Sequence, residues 1–144
     1  NPDSWGWDGC IRIKYATRAS ESGDPVLEVN YGTNLRLLRY ADILLMAAEA
    51  KFRAGDASGA LVEFNKVRER AELSPLSSLT FEDIVLERQL ELSFEGVRFL
   101  DLIRWGLAPE VLGSRGFVAG KHELYPIPLD ELRNNQYMVQ NPGY

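Results

Sequence analysis

The sequence predicts a mainly α protein: tetratricopeptide-like stacked helical hairpins with irregular loops and a minor β-hairpin. Three observations lead there. Apolar residues recur at helical spacing through two long stretches, residues 35–72 and 80–106. Cap and stop residues punctuate both: Asn34 and Asp56 before helices, Gly55 after one, and Thr80 with Asp83 in the order of a capping box. Small residues, Ala47, Ala48 and Ala50, permit close helix approach. At 144 residues, 45% of them hydrophobic, the chain can bury a real core as one domain.

Residues 1–34 are the least regular part. Ile11, Ile13 and Tyr15 alternate with Arg12 and Lys14 as in a half-buried strand, and residues 26–31 can supply a second strand to complete a hairpin. Trp5 and Trp7 flank Gly6 and stand beside Asp8 in a polar loop. That grouping is a weak carbohydrate-binding candidate, because an indole face pairs with the apolar C–H face of a pyranose. The alternative is that the two tryptophans plug gaps in a core, or an interface with further helices.

Residues 35–72 read as a helical hairpin. A helix over about residues 35–54 is apolar on most faces, through Leu37, Leu38, Ile43, Leu44, Leu45 and Met46, and Gly55 ends it. Asp56 then caps a helix over about residues 57–71 that buries Ala60, Leu61, Phe64 and Val67. Ala48, Gly55-Asp56, Ala60, Phe64 and Val67 resemble the small-and-large pattern of a tetratricopeptide unit. A second helical pair follows at residues 80–106, about 44 residues on, where the usual repeat is about 34. Such units stack in threes or more, so a short stack exposes an apolar edge.

The stretch from Thr80 to Gly106 is the densest in information, and it reads as two helices joined at Gly96. Leu86, Leu90, Phe94 and Val97 form one apolar stripe and Phe81, Ile84, Val85 and Leu92 another, which predicts packing on most of the circumference. If helicity carries through Gly96, then Glu87, Arg88, Glu91, Glu95 and Arg98 fall within an arc of about 100° that faces the interior. Successive carboxylates at that spacing repel unless cations lie among them, and Arg88, Arg98 and Arg104 are at hand. The stripe, with Asp101, is therefore expected to be a structural ion network. The competing reading makes the carboxylates a glycosidase acid and base; a general acid must keep its proton, which neighbouring guanidinium groups oppose. No enzyme is expected.

Residues 107–144 are expected to be irregular. Leu124-Tyr125-Pro126-Ile127-Pro128 must be extended, forming a clamp across the surface, since each proline disfavours helix for the residue before it. A short helix over about residues 129–134 and an Asn141-Pro142-Gly143 turn complete the chain.

A net charge of −5 and a sequence pI near 4.9 argue against a nucleic-acid partner, which would need a clustered basic face. Cys10 and His122 are each the sole residue of their type, so no metal, cofactor or internal disulfide is expected. No apolar run reaches membrane-spanning length. Starting at Asn1 without Met or a leader, the chain is expected to be a piece of a longer one, and Cys10 lacks the apolar stretch that a lipid-anchor cysteine requires before it.

Six ordered motifs together resemble a known family. They are Leu38-Arg39-Tyr40-Ala41-Asp42 running on to Ala50; Asn65-x-Val67-Arg68-x-Arg70-Ala71; Glu87-Arg88-x-x-Glu91-Leu92-x-Phe94-Glu95-Gly96-x-Arg98; Asp101-Leu102-Ile103-Arg104-Trp105-Gly106; Leu124 to Pro128; and Gln140-Asn141-Pro142-Gly143-Tyr144. Over residues 9–144 they resemble the C-terminal part of the RagB/SusD family of nutrient-binding outer-membrane lipoproteins. The resemblance implies a partial α-α superhelix and a non-catalytic surface protein of a Bacteroidetes-type bacterium. It also implies a lipid anchor on an N-terminal cysteine, glycan capture, and partnership with a SusC-like TonB-dependent transporter. The family's N-terminal helices and lipidated cysteine are not among these residues. The alternative is a general tetratricopeptide-type protein-interaction module, which would need neither the Glu-Arg motif nor Tyr-Pro-Ile-Pro.

Overall fold

A computed structural model describes residues 37–144. Six α-helices and a 3-10 turn, with no strand among the described residues, give the mainly helical fold that the sequence predicts. Asn34 and the candidate hairpin strands lie outside the described residues. The chain divides into two compact units, Asn1–Phe94 and Glu95–Tyr144.

In the first unit, α1 (Tyr40–Arg53) packs against both α2 (Ala57–Arg70) and α3 (Phe81–Glu91). The central helix is thus α1 rather than the Thr80–Gly106 stretch. Leu44, Leu45 and Ala48 of α1 meet Phe64 and Val67 of α2 and Ile84 of α3 in one buried cluster, with Leu76 and Leu79 of the connecting loop packed against it. Complete burial of a side chain of Leu or Phe size stabilises by about 1.5–3 kcal/mol, so these six positions dominate the unit.

Helix α1 opens later than its periodicity suggests. Leu37 and Leu38 are exposed and Arg39 is extended, so no burial fixes a helix before Tyr40. Its end is as expected: Gly55 takes a left-handed φ of 85° and the Asp56 N–H bonds the Lys51 carbonyl at 2.9 Å. Asp56 accepts from the Gly59 N–H at 2.8 Å to cap α2. α2 ends the way α1 does, with the Leu73 N–H on the Arg68 carbonyl at 2.9 Å, but Glu72 holds the left-handed position, at φ 58°.

Two side chains of α2 pin the loop that follows. The Asn65 amide brackets Leu76, accepting from its N–H at 2.9 Å and donating to its carbonyl at 3.0 Å. Arg68 Nε donates to the Ser74 carbonyl at 2.9 Å. The loop then delivers Thr80 to α3, where the capping box with Asp83 forms in full.

Packing around α3 is one-sided. Ile84, Glu87, Arg88 and Leu92 are buried, whereas Leu86, Leu90 and Phe94 are 54%, 61% and 73% exposed, so the stripe expected to pack is instead the apolar edge of a short stack. The helix also stops at Glu91. Phe94 and Gly96 turn the chain at φ 65° and 84°, which takes Glu95 and Arg98 off the helical surface that carries Glu87 and Glu91.

The second unit holds α4 (Arg98–Arg104), α5 (Ala108–Leu112), a 3-10 turn at Gly113–Arg115 and α6 (Leu129–Asn134). Sequence reasoning missed α5, where Pro109 stands in the first turn and favours helix initiation. Leu102 and Ala108 are its buried apolar residues. Residues 124–127, expected to be extended, are held by side chains of the tail. Gln140 accepts from the Ile127 N–H at 2.8 Å and donates to its carbonyl at 3.0 Å, Asn141 donates to the Tyr125 carbonyl at 2.6 Å, and the Tyr144 hydroxyl donates to the Leu124 carbonyl at 2.9 Å.

Candidate functional site

The charged residues of α3 are engaged by side chains from other elements. Arg88 Nη1 donates to Asp42 of α1 at 2.9 Å, and Arg68 of α2 donates to Glu87 at 3.0 Å. Glu91 receives Arg39 at 2.9 Å and also Arg70, while Arg39 donates in addition to the Glu91 backbone carbonyl at 3.0 Å. The guanidinium of Arg39 thus satisfies an orphan carbonyl at the negative end of α3. Asp101 is buried and takes Arg104 at 2.9 Å within α4. Arg98 Nη1 is buried without a hydrogen-bond partner, as is Glu123 Oε2. Of the residues expected to form an ion network, Glu87, Arg88 and Glu91 are thus ion-paired within the first unit and Asp101 with Arg104 within the second.

Two concave sites among the described residues stand out by their linings. The first, about 530 Å³, lies beside α1 and α2 and is lined by Tyr40, Leu44 and the cations Arg39, Lys66 and Arg70. Each cation there is committed: Arg39 and Arg70 to Glu91, and Lys66 to Glu63 at 2.6 Å. Hydrogen bonds from Lys51 and Lys66 hold the Glu63 carboxyl down at about 2, and Glu63 in turn raises the Lys66 ammonium.

The second, about 390 Å³, lies wholly in the second unit and is walled by aromatic rings. Phe99 and Phe117 meet edge to face at 6.4 Å, Phe117 and His122 at 5.7 Å, and His122 and Tyr144 are tilted at 6.5 Å. Tyr125, Arg115, Leu112, Leu124 and Gly116 make up the rest of the lining. The Val118 N–H donates to His122 Nδ1 at 2.9 Å, which leaves the ring proton on Nε2. Lys121 Nζ sits 4.7 Å from the Tyr144 ring centroid.

The sequence-level stacking candidates Trp5, Trp7 and Asp8 lie outside the described residues. Sequence reasoning did not find the aromatic cleft, whose rings come from α4, the loop after the 3-10 turn and the tail. The spacing of Phe99, Phe117, His122 and Tyr144 follows no helical or strand period, so no periodic signal could have revealed it.

Comparison with known proteins defines the class. Residues 12–115 match the SusD family, and this chain belongs to that family. It is 33% identical to the starch-binding protein SusD of Bacteroides thetaiotaomicron, in an alignment covering 95% of this chain and 26% of the relative. It is 38% identical to SusD-like protein P2 of Formosa agariphila, over 78% of this chain and 26% of the relative. Among solved structures, a laminarin-binding SusD-like protein superposes with a TM-score of 0.80 at 42% identity, covering 91% of this chain and 28% of that one. The chain spans about a quarter of the length of the curated relatives it matches.

Proposed function

We propose that this chain is part of a non-catalytic cell-surface protein that captures a glycan and passes it to a SusC-like TonB-dependent transporter in the outer membrane. Membership of the SusD family, among relatives described as starch-binding and laminarin-binding, carries this reading. Binding without cleavage is supported by the α3 carboxylates Glu87 and Glu91, which guanidinium groups already engage. In this reading the longer protein is held at the cell surface by a lipid on an N-terminal cysteine outside these residues, and its N-terminal helices pack with the present ones. It uses no cofactor and binds no nucleic acid.

The test is to purify the intact protein from detergent-solubilised membranes of its bacterium and to incubate it with polysaccharides. Co-elution of a TonB-dependent transporter, with glycan retained and uncleaved, is expected. Recovery free of any membrane partner would overturn the transport role. Release of shorter oligosaccharides by the pure protein would overturn the non-catalytic assignment.

A further inference from the structure

We propose that the aromatic cleft of the second unit is a subsite for an acidic pyranose, a sugar ring carrying a carboxylate or a sulfate group. The inference rests on the glycan-capture reading and adds to it the class of sugar that this cleft takes.

The rings and the polar groups of the cleft point the same way. Phe99, Phe117, His122, Tyr125 and Tyr144 line the cleft with aromatic rings, and an aromatic ring is the complement of the C–H face of a pyranose. The lining side chains contain no Asp, Glu, Asn or Gln. Neutral sugars present hydroxyl groups that both donate and accept, and carboxylates and carboxamides are the side chains that most often take the donated protons. Here the charged and imidazole groups only donate: Arg115 offers a guanidinium and His122 offers Nε2–H. A ligand that stacks on rings and brings only acceptors to two donors is an anionic sugar, for which a guanidinium fork provides bidentate recognition.

The contrast with the first unit sharpens the assignment, because the cations of the site beside α1 and α2 are neutralised by Glu91 and Glu63, whereas Arg115 makes no ion pair among the described residues. Lys121, over the Tyr144 ring, adds positive charge nearby; Glu123, beside His122 in sequence, does not line the cleft. The wall is also preorganised. Tyr144 is tied to the Leu124 carbonyl and Asn141 to the Tyr125 carbonyl, so little ordering is left to be done on binding.

The test uses the protein labelled for NMR and titrated with four probes: neutral laminari-oligosaccharides, a glucuronate-containing oligosaccharide, a sulfated oligosaccharide and inorganic sulfate. The acidic sugars should shift the Arg115 Nε–H, His122 and Tyr144 resonances, and the carboxylate and sulfate arms tell which anion is taken. Arg115→Gln, at an exposed position, should weaken that binding about tenfold or more, and Arg115→Lys less. Neutral sugars binding the cleft as tightly, or acidic binding unchanged in Arg115→Gln, overturns the proposal. Inorganic sulfate binding as tightly as the sulfated sugar overturns the sugar assignment. Neutral glycan bound elsewhere on the protein, with the cleft silent to all four probes, overturns the subsite and leaves glycan capture standing. Failure of the intact protein to retain any glycan, by contrast, strikes the capture reading itself.

Discussion

The guanidinium of Arg88 lies 2.9 Å from the carboxylate of Asp42, joining the interior faces of α3 and α1 across 46 residues of sequence. Arg88 is 4% exposed, so its charge is buried and Asp42 is the carboxylate that faces it. Arg88→Ala strands Asp42 and should cost about 3–5 kcal/mol, against a typical domain stability of about 5–15 kcal/mol. Replacing both partners, as Arg88→Met with Asp42→Leu, should recover much of that loss. Thermal denaturation of the three proteins decides it. A shift below about 2 °C for Arg88→Ala would show that the pair does not hold the helices together.

Glu72 occupies the left-handed cap position that Gly55 fills at the end of α1, and an L-residue other than glycine pays about 1–2 kcal/mol for that conformation. Glu72→Gly should therefore stabilise the chain, by about 0.5–1 kcal/mol after the greater chain entropy of glycine in the unfolded state is subtracted. Urea denaturation at pH 7 measures it, and a lower midpoint for the variant would contradict the strained cap.

Gln140 supplies the hydrogen bonds that a neighbouring strand would otherwise give Ile127, whose flanking prolines have no N–H to offer. The Ile127 amide should be protected from hydrogen exchange, and Gln140→Ala should bring it close to the rate of an open loop. Gln140→Glu should do no better, since it sets an acceptor against the Ile127 carbonyl. Slow exchange persisting in Gln140→Ala would rule this role out.

Glu63 has a carboxyl lowered to about 2 from an ordinary 4.5 by hydrogen bonds from Lys51 and Lys66. A group depressed on folding contributes stability that is fully present above its unfolded value and is lost as pH falls toward its folded one. The stability gap between the protein and Glu63→Gln should be constant above about pH 5 and shrink progressively from there toward pH 2. Denaturation midpoints of the two at intervals across that range give the profile. A gap that widened on acidification would reverse the sign and refute the assignment.

Local chemistry made much of this fold legible in advance. The Thr80–Asp83 capping box, the Asp56 cap, the Gly55 stop and the short helix over Leu129–Asn134 each follow from a few neighbouring residues, because caps and turns are satisfied within one or two turns of chain. The ordered motifs likewise sufficed to mark the family. What sequence could not decide was which partner answers each charge and which apolar face is covered. Glu87 is met by Arg68, 19 residues away, and Arg88 by Asp42, while Leu86 and Leu90 face outward on the same helix. Periodicity places such residues on a face, but which face another helix covers depends on packing between segments distant in the chain. The aromatic cleft is the clearest case: Phe99, Phe117, His122 and Tyr144 carry no common period, and only the path of the backbone after the 3-10 turn brings their rings together.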